Sequence, residues 1–297
     1  MKAIISDSSL LELRTAWIKS VSTIWTAQEN GTVESNPFCN ELIKKDFNSY
    51  PDQEIGAMAV LEKYGLCGDS WGIQLQVTES DEAPYWNPGT GEYDVENSEK
   101  IEQVLIYIPK KPKNNPTEAA AAFYAKAPSI FGGFDNGAAP DSMPSTSRFN
   151  IGNDMGTLYE FGTVLMDALS LSWMDEQFKE RLITKDPIDT ETGNLKVEEI
   201  GKAAKVLKES FGYDFPWAFD LIIAEDDDAE FLDSTQLAEE FGSKSVPPQA
   251  LVPRWVKAKR SRLVLVVPQR PLSLENYGPI ALASYNAGGS KYPFSCG

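Results

Sequence analysis

There is no histidine anywhere in the 297 residues. A histidine-based triad, an imidazole-held zinc or iron, and a histidine general base are therefore excluded. Cysteine is almost as scarce: Cys39, Cys67 and Cys296 are the three, and no two form a C-x-x-C pair. Such an odd, scattered set builds neither a disulfide framework nor a thiolate metal cage. It suggests reduced thiols and synthesis in the cytoplasm, with later export by a non-classical route left open. Positive charge is also short. Lys and Arg number 27 against 44 Asp and Glu, for a net charge of −17, so the cation surplus that phosphate backbones require is missing and no nucleic-acid partner is expected. Long apolar runs are absent too. The strongest, residues 263–268, has strand length, far below the roughly 18 residues of a membrane span. The N-terminal stretch is broken by Asp7 and Glu12 and reads poorly as a signal peptide. What remains is 42% hydrophobic and 11% aromatic, the make-up of a folded protein with its acids on a solvated surface.

The sequence also repeats itself. WGIQLQVTESD from Trp71 aligns without a gap on WAFDLIIAEDD from Trp217, bringing Leu75 onto Leu221, Glu79 onto Glu225 and Asp81 onto Asp227. Further blocks recur in the same order: SVSTIW ending at Trp25 with ALSLSW ending at Trp173, FCNELIKKD from Phe38 with FKERLITKD from Phe178, AVLEKYG ending at Gly65 with KVLKESFG ending at Gly212, and VLIYIPKKP from Val104 with LVLVVPQRP from Leu263. Shared order carries more weight than any one block, and it predicts two diverged tandem copies of one α+β unit. Each copy reads as a helix ending at Trp25 or Trp173, then a second helix with Phe38 and Leu42, or Phe178 and Leu182, on one face. A third helix stops at Gly65 or Gly212. Two strands follow: a half-buried, alternating one after Trp71 or Trp217, and one ended by Pro109 or Pro268, because proline cannot donate to a sheet ladder.

The expected organisation is a first unit over 1–112, a Gly/Pro/Ser-rich linker over 113–155, a second unit over 156–271 and a tail over 272–297. Each unit is expected to be compact, at about 100 residues. The linker opens on a helix candidate, PTEAAAAFYAKA. The second unit carries an acidic insertion, 226–256, between its two strands. Its EDDDAEFLD run lacks the glycine and glutamate of an EF-hand in register, so it reads as a solvated loop. The tail has no counterpart after Pro112 and, on its own residues, reads as an extended segment wrapped over one domain.

Little catalytic chemistry is left. No Ser-x-x-Lys occurs, and no GK[ST] follows FGGFDNG, so neither a serine–lysine nucleophile nor a phosphate loop is present. Glu79 with Asp81 and Glu225 with Asp227 recur in both copies. A carboxylate enzyme would need Glu79 or Glu225 buried in a cleft with a raised pKa; ordinary post-strand turns explain the same acids and are the reading preferred. Trp71 and Trp217 read as core anchors. No catalytic residue, metal ligand or cofactor is assigned.

A helix ending in tryptophan, F-x-x-x-L, D-P, F-G-Y-x-x-P-W and a final L-V-x-x-x-P together resemble the nitrile-hydratase-like leader-peptide families. Here these are Trp173, Phe178, Leu182, Asp186-Pro187, Phe211-Gly212-Tyr213, Pro216-Trp217 and Leu263-Val264 with Pro268. The first copy departs from the pattern, with Phe47 after Asp46 and Gly68-Asp69-Ser70 before Trp71. The tail, with YNAGGSKYPFSC, is similar to the end of a subgroup of thiazole/oxazole-modified microcin (TOMM) precursors. The parent hydratases hold a metal in a C-x-x-C-S-C claw, which this sequence lacks.

The resemblance implies a non-enzymatic, ribosomally made precursor of a bacteriocin-like peptide. The folded units would be recognised by a cyclodehydratase complex, with a flavin dehydrogenase as second partner, and the tail would be the substrate. Cys296 is the strongest candidate for heterocyclisation, because a thiol is the better nucleophile. Ser295, Ser290 and Ser284 follow. Trp71, Trp217, Phe38, Phe178, Tyr213 and Pro216 are the candidate recognition or core anchors. The alternative is a structural, self-assembling protein that reuses the scaffold and docks its tail in a neighbouring subunit.

Overall fold

The computed structural model describes residues 7–43, 57–62, 74–81, 83–94, 102–124, 152–189, 195–196, 200–215, 219–241, 251–259 and 261–288. In chain order these form α1 (Asp7–Glu29), α2 (Pro37–Leu42), α3 (Ala57–Glu62), β1 (Gln74–Thr78), β2 (Tyr85–Asn87), β3 (Glu92–Asp94), β4 (Gln103–Pro109), α4 (Pro116–Tyr124) and α5 (Gly152–Ser172). There follow α6 (Glu176–Leu182), α7 (Lys202–Phe211), β5 (Asp220–Asp226), β6 (Glu230–Leu232), α8 (Ser234–Phe241), β7 (Arg254–Val256), β8 (Arg262–Val266) and α9 (Leu274–Gly288). The chain is α+β, as the sequence predicts.

Local chemistry explains the helices. Trp17, Val21, Ile24 and Trp25 fall on one buried face of α1, and Phe161, Leu165, Ala168 and Leu169 on one face of α5. Asn36 caps α2 by accepting from the N–H groups of Phe38 and Cys39, with Pro37 in the first turn. Asp175 does the same for α6, accepting from Gln177 and Phe178 at 2.9 and 3.1 Å. α7 ends as expected at Gly212, whose left-handed backbone (φ 69°) lets its N–H reach the Lys208 carbonyl. Gly65, the matching stop in the first half, lies outside the described residues.

The central sheet has four strands in the order β1-β8-β4-β5. β1 runs parallel to β8, β4 parallel to β5, and β4 antiparallel to β8. Strands from the two halves therefore alternate. Leu75 lies opposite Leu263, and Leu221 opposite Val104. These four are aligned positions in the sequence blocks, so the register is the same on both sides. At the centre Val104 faces Leu263, Gln103 faces Val264 and Leu105 faces Arg262, a set unchanged when each residue is exchanged for its aligned partner. An approximate two-fold axis thus passes through Val104 and Leu263.

The helices obey the same relation. Trp25 donates its indole N–H to the Pro268 carbonyl at 2.8 Å, and Trp173 donates to the Pro109 carbonyl at 2.9 Å. α9 packs on α1 and β3, while α4 packs on α5 and β7.

Four expectations need correction. The halves are not separately compact units, because in the four-stranded sheet β1 does not pair with β4, nor β5 with β8. The first strand of each half is not half-buried: Leu75, Gln76 and Val77 of β1 are buried in succession and β5 is buried along almost its whole length, as are β4 and β8. One face joins the helices in the main core through Leu75, Val104, Ile106, Leu221, Ile223, Leu263 and Leu265. The other forms a second cluster of Leu105, Ile222, Ala224 and Val264 with Leu195, the pattern of a sheet covered on both sides. The acidic insertion is mostly structured. β6 and β7 form a hairpin that matches the β2–β3 hairpin of the first half, Trp86 facing Tyr93 there and Phe231 facing Trp255 here. Among the described residues, the extra element is α8. Finally, the segment after Pro271 is not extended over its described residues 274–288. It forms α9, and it has a counterpart after Pro112, which is α4.

Candidate functional site

The place to test the tail hypothesis is α9, the last described element. Its start is set by Ser273, whose hydroxyl accepts the Asn276 N–H at 3.3 Å and whose carbonyl accepts the Tyr277 N–H at 3.0 Å. Ala281 and Tyr285, four residues apart, are buried, while Tyr277 and Ile280 nearer the start of the helix are exposed.

First-half residues hold this helix. The Trp17 indole N–H donates to the Tyr285 hydroxyl at 3.0 Å, and that hydroxyl donates to the Glu102 carboxylate at 3.4 Å. All three side chains are buried. Burial pushes the Tyr285 hydroxyl well above its ordinary pKa, with the nearby Glu102 charge adding to the rise, so Tyr285 remains a neutral donor. Tyr93 packs edge-on against Tyr285, stacks on Trp25 and donates its hydroxyl to the Gln269 carbonyl at 2.6 Å. Its backbone N–H donates to the Ser284 hydroxyl at 3.2 Å. α4 is held in the matching way on the other side, where the Trp255 indole donates to the Ala119 carbonyl at 2.9 Å.

Of the candidate modification residues, Ser284 is thus a half-buried helical residue with its hydroxyl engaged. Heterocyclisation there would join Oγ to the Ala283 carbonyl carbon and leave nitrogen 284 without its proton. That ring is incompatible with an α-helical turn, so α9 would have to open first. Ser290, Ser295 and Cys296 lie outside the described residues.

The candidate anchors separate similarly. Phe178 is buried and meets Phe211 edge-on at 5.8 Å. Phe38 is partly buried against the main core. Tyr213 is buried, stacks on Phe161 at 6.0 Å, and among the described residues its hydroxyl has no hydrogen-bond partner. All three belong to or pack against the main core. Trp71, Trp217 and Pro216 lie outside the described residues.

The recurring acids do not converge. β1 and β5 are opposite edges of the sheet and run antiparallel to one another. Glu79 and Glu225, at their C-terminal ends, therefore sit at opposite edges and opposite ends. Partial desolvation raises the Glu79 pKa, opposed by a hydrogen bond from Gln28, while Glu225 pairs with Lys179 at 2.7 Å. Asp227 pairs with Lys110 at 2.5 Å, which holds its carboxyl below the usual range. Asp226 is buried and accepts from the N–H groups of Asp228 and Lys259. These are turn and ion-pair roles. Among the described residues no three Cys, Asp or Glu side chains are grouped to hold a metal ion, and no helix is long and apolar enough to cross a membrane.

Sequence reasoning missed the clasp of Trp17, Tyr93, Glu102 and Tyr285. Its one available signal was that an alanine-rich, aromatic segment follows the Pro-x-x-Pro element in both halves.

A family model described as "Ribosomal natural product, two-chain TOMM family" matches residues 156–293. That is a little under half of the chain. It runs from within α5, through α9, into the residues just beyond. No curated protein and no solved structure matches the chain. Over its second half, then, the chain is similar to ribosomally made natural-product precursors.

Proposed function

We propose that this protein is a non-catalytic precursor of a heterocyclised, bacteriocin-like peptide, and that its modified residues lie beyond α9. The observation that carries the reading is the family match over 156–293, which joins the folded second half to the start of the short segment beyond Gly288. On this reading the two halves are diverged copies of one nitrile-hydratase-like leader unit, kept without the metal claw. The shared register about Val104 and Leu263 supports the duplication.

The folded units serve as the surface that a cyclodehydratase complex recognises, and the substrate is residues 289–297. There, Cys296 attacks the carbonyl carbon of Ser295. Loss of water, driven by ATP on the enzyme, gives a thiazoline, and a dehydrogenase removes two hydrogens to give the thiazole. Ser290 and Ser295 are the oxygen counterparts. Synthesis is cytoplasmic and the finished product is exported. The assembly alternative requires the segment after Pro271 to dock in a neighbouring subunit; residues 274–288 are seated within their own chain.

The test is mass spectrometry of the chain produced together with its modifying enzymes. Loss of one water per thiazoline, or of one water and two hydrogens per thiazole, confined to 289–297 is expected. A chain recovered at its unmodified mass under those conditions sinks the proposal.

A further inference from the structure

The way the halves share their sheet points to a partner. Within the four-stranded sheet β1 never pairs with β4, and β5 never pairs with β8. Each half gives its second strand to the other half's first strand. The segments that follow cross as well. β4 leads through Pro109 to α4, which seats against α5 and β7; β8 leads through Pro268 to α9, which seats against α1 and β3. Residues 103–124 and 262–288 are thus two arms, each ending in a helix clasped by the opposite half. Trp173 and Trp25 lock the roots of these arms by donating their indole N–H groups to the Pro109 and Pro268 carbonyls.

The centre of the exchange is an isologous interface. Val104 against Leu263 lies on the axis, with Gln103–Val264 and Leu105–Arg262 to either side. This is how two copies of one chain meet around a two-fold. It also has consequences for a stretch such as 152–288. Alone, that stretch leaves β5 without the strand that pairs it and β8 without a neighbour on either side. An unpaired central strand, apolar on both faces, is a strong template for pairing with another chain.

We propose that residues 152–288 form an arm-exchanging protomer whose fitting partner is a second chain of the same repeat, and that residues 7–124 fill this role in cis. This rests on the two-unit reading above. The connection over 125–151 joins α4 to α5, which already pack on each other, so a break there cuts none of the described sheet pairings or clasps. The protein is therefore able to work as two chains.

The experiment uses the full chain with a protease recognition sequence inserted within 125–151. Thr78→Cys and Val266→Cys are added as one pair, at facing positions of β1 and β8. Tyr107→Cys and Ala224→Cys form a second, independent pair at facing positions of β4 and β5. After cutting, both fragments are expected to elute together at the mass of the uncut chain. On a non-reducing denaturing gel, oxidation of either pair is expected to hold the fragments in one band, while the cut chain without the added pairs separates. Fragments that part in native buffer, or that stay unlinked with both pairs, overturn the proposal. Unexchanged strands would place each cysteine pair in non-neighbouring strands. No modifying enzyme is involved, so this result and the outcome of the mass-spectrometric test are independent.

Discussion

Trp25, buried, and Trp173, partly buried, each give their one indole N–H to a proline carbonyl across the sheet, at 2.8 and 2.9 Å. Replacing either with Phe retains most of the ring but leaves a carbonyl unpaired, which costs about 1–2 kcal/mol. Urea denaturation should therefore show W25F and W173F destabilised by similar amounts, and a large difference would deny the two sites equivalent roles. The pairing of these tryptophans was legible because both end recognisable helical blocks. Tyr93 and Tyr285 were not. Their meeting depends on which half receives α9, and no local spacing encodes that. Ser284 carries the sharpest prediction for a single side chain. Ser284→Ala should leave the extent of tail modification unchanged in the mass spectrum; a lost water in the unsubstituted protein that disappears with this change would make Ser284 a substrate.

Helices were read more accurately than strand partners, and the reason is physical. A helix writes its own face into spacing of three and four residues, and α1, α5, α6 and α7 follow the expected positions. A strand shows that it is a strand but not which neighbour it takes. β4 and β8 are both short apolar runs ended by proline, so exchanged and unexchanged pairings fit the same letters. The helix α9 was hidden by its glycines and by Pro279, which normally weaken a helix. Burial of Ala281 and Tyr285 against the first half offsets that cost. Truncation separates α9 from the segment after it. Ending the chain at Pro271 removes Tyr285 from the clasp and exposes Trp17 and Tyr93, a loss of about 3 kcal/mol or more. Ending it at Gly288 keeps every described contact of α9. Thermal unfolding should place the Gly288 product close to the full chain and the Pro271 product well below it.

The whole chain carries −17 at neutral pH with a pI near 4.5, and its folded surface repels itself. Asp220 adds to this. Burial raises its pKa, against hydrogen bonds from Gly201 and Gln103, and Glu79 is raised in the same direction. A raised carboxyl keeps its proton in the folded state after the unfolded chain has released it, so stability falls as pH rises through that window and is regained as pH falls. Both effects have one sign. The melting temperature should rise as the pH falls from about 8 towards the pI near 4.5, at equal salt; a fall over that range would mean that paired acids such as Asp227 dominate. The resemblance to precursors was legible in the letters of the second half, whereas the helical state of Ser284 required the structure. The central claim is that the heterocyclising chemistry is confined to the residues beyond α9. It is tested most directly by producing the chain with Ser290→Ala, Ser295→Ala and Cys296→Ala beside the unsubstituted chain, each with the modifying enzymes, and mapping water losses by tandem mass spectrometry. The unsubstituted chain should lose whole waters within 289–297 and the triple variant none; losses that persist in the triple variant within 274–288, or no loss in either chain, would contradict the account.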